Sequence, residues 1–500
     1  MRRTRTPLDL TLRHRSFSAA DLRRDVAASL VVFLVALPLC VGVAVASGAP
    51  AELGLVTGIV GGLVTGLLPG SSLQVSGPAA GLTVLVYEAI AEFGLSALGV
   101  LVLVAGLLQL VMGRLRLGRL FRAISVSVVH GMLAGIGLVL VAGQLYAMVG
   151  VEAPGGGLAN LAGLPGLVVD TLGSPRALVA LGVGTGTLAV LVLWRYLPDR
   201  VRRVPAPLAA VALATLVTWA ADLPIATVEV RGLLDAVQPP SLADLGVLTR
   251  LEVIGTIAAF TLIASAESLF SAAAVDRLHD GPRTDYDREL IAQGVGNTVC
   301  GLLGALPMTA VIVRSAANVQ AGARTKVSRV LHGWWLLVFV ALLPGVLGLI
   351  PLAALAGVLV HAGAGLVPVR ALPSLLRTHR GEAVVMVVTA LAVVSVNLFE
   401  GVLIGLLLAV VKTAWETSQL HIRVVDEPGA PLRVRLSGNA TFLRLPRLLD
   451  TLERLPSDRP VTLDLDEVRH LDHACRVALQ DWAARHNRAG DEPLDVPALR

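Results

Sequence analysis

The sequence predicts an all-α polytopic membrane protein with a small α/β domain after its last span. Hydrophobic residues make up 55% of the 500 residues, charged residues make up only 15%, and the mean hydropathy is +0.76. Apolar runs of about 20 residues, long enough to cross a bilayer, recur with polar breaks between them. The 50 glycines, among them the stripe Gly58, Gly62 and Gly66, are typical of helices that pack closely in lipid.

The chain divides into a cytoplasmic N-terminal segment (1–24), a membrane domain (25–415) and a tail (420–500). The apolar runs of the membrane domain predict fourteen transmembrane segments: 25–47, 51–69, 77–92, 95–113, 121–149, 175–195, 205–221, 251–275, 287–305, 308–321, 327–349, 351–368, 382–396 and 398–415. The third and the tenth of these segments are short. Because seven is an odd number, a seven-plus-seven arrangement inverts the second half relative to the first.

Basic residues are concentrated in alternate loops, which predicts the orientation. The predicted outer loops hold only Arg176, Arg231 and Arg250. The predicted inner loops hold Arg114, Arg116, Arg119, Arg122, Arg195, Arg200, Arg202, Arg203, Arg277, Arg283, Arg288, Arg324, Lys326, Arg329, Arg370, Arg377 and Arg380. The positive-inside rule therefore places both termini in the cytoplasm. The net charge of +5 reports this topology and does not indicate a nucleic-acid partner.

The tail has a composition of its own and predicts a small α/β unit. Alternating apolar residues predict strands at 432–436 and 461–465, and helical periodicity predicts helices at 442–455 and from Ala474 to His486. A unit this short buries little core alone. We therefore expect it to pack on the membrane domain or on a partner subunit.

The most informative feature is a pair of short apolar segments that each contain a proline near their start. Paired broken segments of this kind mark a substrate site at the bilayer midplane. We expect both prolines to open half-helices whose N-termini face each other, so that free N–H groups and dipole ends form an anion site. The predicted anion-binding residues are Ser76, Gly77, Pro78, Ala79, Ala80, Gly81, Met308, Thr309, Ala310 and Arg314.

Two ionisable residues lie inside predicted spans, where charge is costly and therefore indicates function. Glu267, together with Ser268, Ser271 and Thr309, is the predicted site of cation or proton coupling, with Na⁺ as the candidate metal ion. The alternative for Glu267 is a structural pairing with Arg314. For Arg314 three roles stay open: attraction of the anion, an ion pair with Glu267, or extension to the inner membrane surface.

Several function classes find no support. The sequence has no GxxxxGK[ST] loop for an ATP-driven pump, and Cys40, Cys300 and Cys475 have no metal-site spacing. No pairing of a nucleophile with a base suggests an enzyme. We expect no cofactor apart from Na⁺ or H⁺ as a coupling ion.

The quoted motifs resemble the SulP anion transporters, the bacterial members of the solute carrier 26 group. The resemblance covers roughly residues 20–415, and its most specific stretch is 307–325. It rests on Leu37-Pro38-Leu39, Ala46-Ser47-Gly48, Gln74-Val75-Ser76-Gly77-Pro78, Ala266-Glu267-Ser268-Leu269, Leu306-Pro307-Met308-Thr309, Arg314-Ser315-Ala316-Ala317-Asn318 and Gly322-Ala323-Arg324-Thr325.

The resemblance implies a seven-plus-seven inverted repeat with a core (spans 1–4 and 8–11), a gate (spans 5–7 and 12–14), an elevator movement and a homodimer. It implies bicarbonate or sulfate as the substrate and coupling to Na⁺ or H⁺ through Glu267. The tail resembles a shortened STAS domain, the usual C-terminal partner in this family. In the central loop, Asp472-His473 replaces the frequent Asp-Ser pair, which argues against regulation by serine phosphorylation.

Two other functions remain open at this point. A nucleobase permease shares this fold but is expected to carry acids on both the eighth and the tenth spans, whereas the tenth span here carries Arg314 and no carboxylate. A membrane-anchored sensor or scaffold would act through the STAS-like tail, and an uptake assay separates it from a transporter.

Overall fold

The computed structural model describes residues 19–123, 125–202, 204–229, 232–427, 431–456 and 461–489. Predictions that concern residues 1–18, Arg203, Arg231 and the end of the tail after residue 489 lie outside the described residues. The chain forms two compact units, Met1–Gly405 and Leu406–Arg500. The boundary between them lies inside a helix, ten residues before the end of the membrane domain predicted at 415.

The first half of the membrane unit contains helices and one short strand. In chain order these are α1 (Ala19–Ala46), α2 (Ala51–Leu63), β1 (Ser76–Pro78), α3 (Thr83–Phe93), α4 (Leu95–Arg114), α5 (Val126–Met148), α6 (Gly157–Gly173), α7 (Pro175–Leu193), α8 (Asp199–Arg202) and α9 (Ala206–Ala220). Single 3₁₀ turns include Thr65–Leu67 and Ala80–Leu82.

The second half of the membrane unit likewise contains helices and one short strand. It contains α10 (Leu233–Ala236), α11 (Glu252–Val275), α12 (Tyr286–Leu302), β2 (Met308–Ala310), α13 (Ile312–Gln320), α14 (Val327–Leu342), α15 (Pro344–Leu347), α16 (Leu352–Leu366), α17 (Ala371–Thr378), α18 (Arg380–Ser395) and α19 (Leu398–Thr417). The start of α12 is fixed by Asp285, whose carboxylate accepts hydrogen bonds from the N–H groups of Asp287 and Arg288, both at 3.2 Å.

Each predicted membrane segment overlaps a helix, although the boundaries differ. Among the described residues, six helices are long and apolar enough to cross a membrane, and four shorter apolar helices accompany them. The fourteen-span count stays a prediction. Helix α6 was not predicted, because glycines and Pro165 interrupt its apolar pattern. The fifth segment was predicted to start at 121, but α5 starts at Val126.

The helices of the membrane unit pack as two groups. Helices α1–α4 pack with α11–α14, and α5, α7, α9, α16 and α18 pack mainly with one another. The predicted glycine stripe lies in the first group, where α2 crosses α14. A Cβ on Gly62 would lie 2.7 Å from the backbone nitrogen of Gly333, so the two backbones touch. This close approach is what the stripe makes possible.

The tail unit is a three-stranded sheet covered on one face by two helices. Its elements are β3 (Leu420–Val425), β4 (Leu432–Ala440), α20 (Leu445–Glu453), β5 (Val461–Leu471) and α21 (His473–Ala489). The strand order is β3-β4-β5, with β3 antiparallel and β5 parallel to β4. The four predicted elements are present with longer strands, and β3 was missed. Leu448, Leu479 and Trp482 pack on the buried sheet face.

Candidate functional site

The two proline-containing segments meet at the centre of the membrane unit, but as strands. β1 pairs antiparallel with β2, so that Ser76 lies opposite Ala310, Gly77 opposite Thr309 and Pro78 opposite Met308. The prediction that Pro78, Thr309 and Ala310 lie in the first turns of half-helices is therefore wrong. A proline disfavours the helical conformation of the residue before it, and Gly77 precedes Pro78. When both segments are extended, their backbones can pair with each other.

The half-helices begin after the strands. α3 starts at Thr83 behind the 3₁₀ turn Ala80–Leu82, and α13 starts at Ile312. Because the strands run antiparallel, the two helix N-termini lie at opposite ends of a three-residue pair, about 10 Å long at the usual rise per residue. The first N–H groups of each helix have no partner within the helix. An anion that contacts both N-termini therefore has to lie across the strand pair.

The backbone N–H group of Ala310 is not free, contrary to the prediction. It donates to Ser268 Oγ at 3.2 Å, and the backbone carbonyl of Ser268 accepts from Gln74 Nε2 at 2.8 Å. Ser268 was predicted to serve the coupling ion, and in the structure it also joins α11 to both strand segments. Ser271 is buried one helical turn further along α11. Residues 268 and 310 are thus held together before any ligand binds.

Glu267 lies directly against Gly81. Its two carboxylate oxygens are each 2.7 Å from the point that a Cβ on Gly81 would occupy. Oε2 of Glu267 is buried and has no hydrogen-bond partner, and the side chain of Thr309 lies beside the carboxylate. Any side chain at position 81 would therefore force this carboxylate to shift. A buried carboxylate oxygen without a partner is costly, so it is suited to receive a cation or a proton.

Arg314 is buried, with 1% of its surface exposed, and lies against the same segment at Gly77. A Cβ on Gly77 would overlap Nη1 of Arg314. Nη2 donates to the carbonyl of Pro78 at 3.2 Å, while Nε and Nη1 have no partner. Among the described residues no ion pair within 4 Å joins Arg314 to Glu267 or to another carboxylate. Neither the ion pair nor the extension to the membrane surface describes this side chain.

Sequence reasoning missed the polar residues that hold the strands. Glu289, Gln293 and Asn297 lie on α12, are at most 2% exposed, and contact the β1 and β2 segments. Their spacing of four residues inside a predicted span was a usable signal, because buried polar groups in lipid need partners. Among the described residues, no group of three or more His, Cys, Asp or Glu side chains could hold a metal ion.

A cavity of about 470 Å³ lies between the two helix groups of the membrane unit. Its walls come from α1 and α3 on one side and from α5, α7 and α16 on the other. Its polar lining includes Tyr87, Gln144 and Glu152. The boundary between the groups therefore contains open space at this level.

The order of the motifs and the paired segments agree with a comparison of the whole chain with known families. A model of the sulfate permease family matches residues 22–389, which is more than half of the chain. The chain belongs to the sulfate permease family. The predicted resemblance is thereby confirmed for the membrane domain, and so is the prediction of a membrane transporter that is not an enzyme.

Similar members of the sulfate permease family extend over most of the chain. The bicarbonate transporter BicA of Picosynechococcus sp. is 29% identical over 424 residues, which cover 81% of this chain and 72% of that protein. The putative sulfate transporter YvdB of Bacillus subtilis is 26% identical over 500 aligned residues, covering 95% of this chain and 92% of that protein.

Solved structures show the same fold. The transmembrane domain of a cyanobacterial bicarbonate transporter, BicA, superposes with a TM-score of 0.67 at 25% identity, covering 79% of this chain and 98% of that one. The murine solute carrier 26 family member A9, an anion transporter in the inward-facing state, superposes with a TM-score of 0.79 at 16% identity. That comparison covers 95% of this chain and 85% of that one, and it shows the fold alone.

Proposed function

We propose that this protein is a secondary active transporter of a small inorganic anion, either bicarbonate or sulfate, across the plasma membrane. One observation carries the proposal. Two oppositely charged residues, Arg314 and Glu267, lie against one short segment at Gly77 and Gly81, and each keeps unpartnered polar atoms. Charges that are buried close together without pairing are costly to the fold. Such a cost is expected where ligands of both signs bind.

The anion would bind across the strand pair, between the first turns of α3 and α13. The N–H groups there supply donors and the two helix dipoles favour negative charge. The ten predicted anion-binding residues would line or support this position. Arg314 would act by its charge, which reaches further through a poorly polarisable interior than through water. Similarity to bicarbonate and sulfate transporters supports these two anions, and it gives the nucleobase alternative no support.

The coupling ion would bind at Glu267. Na⁺ takes oxygen ligands, and the hydroxyls of Thr309, Ser268 and Ser271 are the predicted companions of the carboxylate. A proton would need Glu267 alone. Binding either ion would remove the cost of an unpartnered carboxylate oxygen, and it would thereby favour an anion bound near Arg314.

We propose an elevator movement between the two packed helix groups. Helices α1–α4 and α11–α14 would form the moving core, and the other group, completed by α19, the gate. The cavity of about 470 Å³ at their boundary supports this division. The seven-plus-seven inverted repeat of fourteen spans and a homodimer of such units belong to the same proposal.

We also propose that both termini are cytoplasmic and that the tail is a shortened STAS-like domain. The tail's β4-β5 parallel pair, followed directly by α21, supports this assignment. The topology can be tested by Arg200→Cys and Arg377→Cys, two exposed positions in predicted inner loops. A membrane-impermeant thiol reagent should label both only after permeabilisation, and labelling of both in intact cells would contradict the topology.

The central experiment is uptake into proteoliposomes. Radiolabelled sulfate and bicarbonate are supplied in turn, with an imposed Na⁺ gradient, an imposed H⁺ gradient or none. We expect one anion to accumulate above equilibrium with one of the two gradients. Binding of neither anion and uptake of neither would overturn the proposal and favour the scaffold alternative.

A further inference from the structure

One face of α12 carries a ladder of three buried polar side chains that no transport role has yet explained. Glu289, Gln293 and Asn297 follow one another at intervals of four residues and therefore lie on one side of the helix. Gln293 Nε2 donates to Glu289 Oε1 at 2.7 Å and to Ser76 Oγ at 2.8 Å. Glu289 Oε2 accepts from the N–H of Ser71 at 2.8 Å. These bonds hold the segment that leads into β1.

Asn297 holds the other strand at two points. Its Oδ1 accepts from the N–H of Met308 at 2.7 Å, and its Nδ2 donates to the carbonyl of Met308 at 3.0 Å. The amide thus offers β2 the donor and acceptor that a further strand would offer. Irregular backbone at membrane depth needs such partners, because no water or lipid group supplies them.

Asn297 is also tied to the helix that carries Glu267. Its Nδ2 donates to Gln109 Oε1 at 2.8 Å, and Gln109 Nε2 donates to Ser265 Oγ at 3.1 Å. Ser265 lies on α11, two residues before Glu267. The three polar side chains of this connection, Asn297, Gln109 and Ser265, are buried. A continuous set of hydrogen bonds therefore runs from the coupling helix to the backbone of the second strand.

We propose that Gln293 and Asn297 are positioning residues that fix the two strands at their register, and that Gln109 links this register to the coupling helix. The inference rests on the proposed anion and cation sites and deepens them. Since the two amides lie one helical turn apart on one rigid helix, they set the spacing of Ser76 and Met308. Neither side chain needs to touch the anion. Each acts through the strand that it holds.

The test uses purified full-length protein and measures sulfate binding, with bicarbonate as competitor, with and without the coupling cation. Asn297→Ala should raise the anion Kd at least about tenfold. Gln109→Leu keeps the clamp on Met308 but breaks the link to Ser265, so its cation-free Kd should stay within about twofold of wild type. In this variant the cation should no longer increase the anion affinity, because that increase requires an energetic connection between the two sites.

The matched control is Asn160→Ala. Asn160 is also buried, and its Oδ1 accepts from the N–H of Gly155 at 3.0 Å, but it lies on α6, which packs against α5, α7 and α18 of the other helix group. It should lower thermal stability about as much as Asn297→Ala does and leave both Kd and cation enhancement unchanged. Equal anion Kd values in Asn297→Ala and wild type would overturn the inference, as would full cation enhancement in Gln109→Leu.

A second variant protects the test against misfolding. If Asn297→Ala yields no folded protein, Gln293→Met, which loses the bond to Ser76 but keeps the length of the side chain, should raise the anion Kd in the same way. An unchanged Kd in that variant would count against the inference. Wild-type protein that binds neither sulfate nor bicarbonate would overturn the proposed function itself, which separates the two failures.

Discussion

The two proline-containing segments contribute different things to the same site. The first, around β1, carries no charged side chain. Its glycines leave space for charged side chains of other segments, Arg314 at Gly77 and Glu267 at Gly81. The second, around β2, brings its own polar groups, Thr309 and Arg314, and its backbone is held by side chains of α11 and α12. The first segment supplies space, and the second supplies charge.

This difference has a physical consequence for mutation. A side chain added to the first segment displaces a buried charged group, which cannot move without losing its environment. A side chain altered in the second segment changes the charge or one hydrogen bond and leaves the backbone pair in place. Substitutions in the first segment should therefore be more damaging than larger chemical changes in the second.

The largest effects are expected from Gly77→Ala and Gly81→Ala. The new Cβ at 77 would overlap the Arg314 guanidinium, and that at 81 would lie 2.7 Å from both carboxylate oxygens of Glu267. Gly77→Ala should weaken anion binding at least about 100-fold, or ~2.7 kcal/mol. Gly81→Ala should abolish gradient-driven uptake. Binding and uptake assays on the same preparations would check both.

Gly255→Ala is the control for this pair. Gly255 lies on α11, the helix that carries Glu267, and a Cβ at this position would have no neighbouring atom within 4 Å. It should leave transport unchanged, since an alanine in a helix is otherwise favourable. The comparison between segments fails if Gly77→Ala and Gly81→Ala retain wild-type binding and uptake.

The next effect tests charge in the second segment. Arg314→Gln removes the positive charge, and we expect the anion Kd to rise about 30-fold, ~2 kcal/mol. Arg314→Lys keeps the charge but loses the planar fork that donates to Pro78, so a rise of about fivefold is expected. Competition binding on purified protein provides the measurement. Equal affinities in all three proteins would exclude Arg314 from anion attraction.

Glu267→Gln should have a smaller effect that is confined to coupling. The amide keeps the size of the side chain beside Gly81 but cannot neutralise a cation or release a proton. We expect gradient-driven uptake to fall about tenfold, equal to ~1.4 kcal/mol, while anion exchange without a gradient continues. Undiminished accumulation by this variant, measured in proteoliposomes with the same imposed gradient, would make Glu267 a structural residue.

Much of this arrangement was predictable from the sequence. Composition indicated the membrane class, and the two prolines indicated where the halves meet. The strands could not be predicted, because a proline after an apolar run is compatible with a helix start and with an extended segment. The decision depends on a partner segment far away in the chain. The pairing of residues 76–78 with residues 308–310 stabilises the extended form.

The supporting residues were harder to predict for a different reason. Gln293 and Asn297 are ordinary helix residues within a plausible span, and nothing local shows that the Gln293 amide binds the Ser76 hydroxyl or that the Asn297 amide binds the backbone of Met308. Likewise, the prediction of free N–H groups on Ala310 failed because Ser268, on another helix, already occupies that donor. Sequence patterns indicate which groups are polar and buried, whereas their partners depend on packing between helices.

The smallest effect is expected at Thr309, the residue of the second segment whose hydroxyl lies beside Glu267. Thr309→Val keeps the shape and the β-branch, so the strand pair should persist, and the anion Kd should not change. Loss of one neutral hydrogen-bonding group near the carboxylate should raise the cation concentration for half-maximal uptake about threefold, or ~0.7 kcal/mol. The matched control is Thr261→Val, a buried hydroxyl on α11 that donates at 2.7 Å to the carbonyl of Ile257 in its own helix. A shift in anion affinity with no shift in cation dependence would mean that the Thr309 hydroxyl serves the anion and not the coupling ion. The second segment would then contribute to anion binding through a neutral hydroxyl as well as through the charge of Arg314.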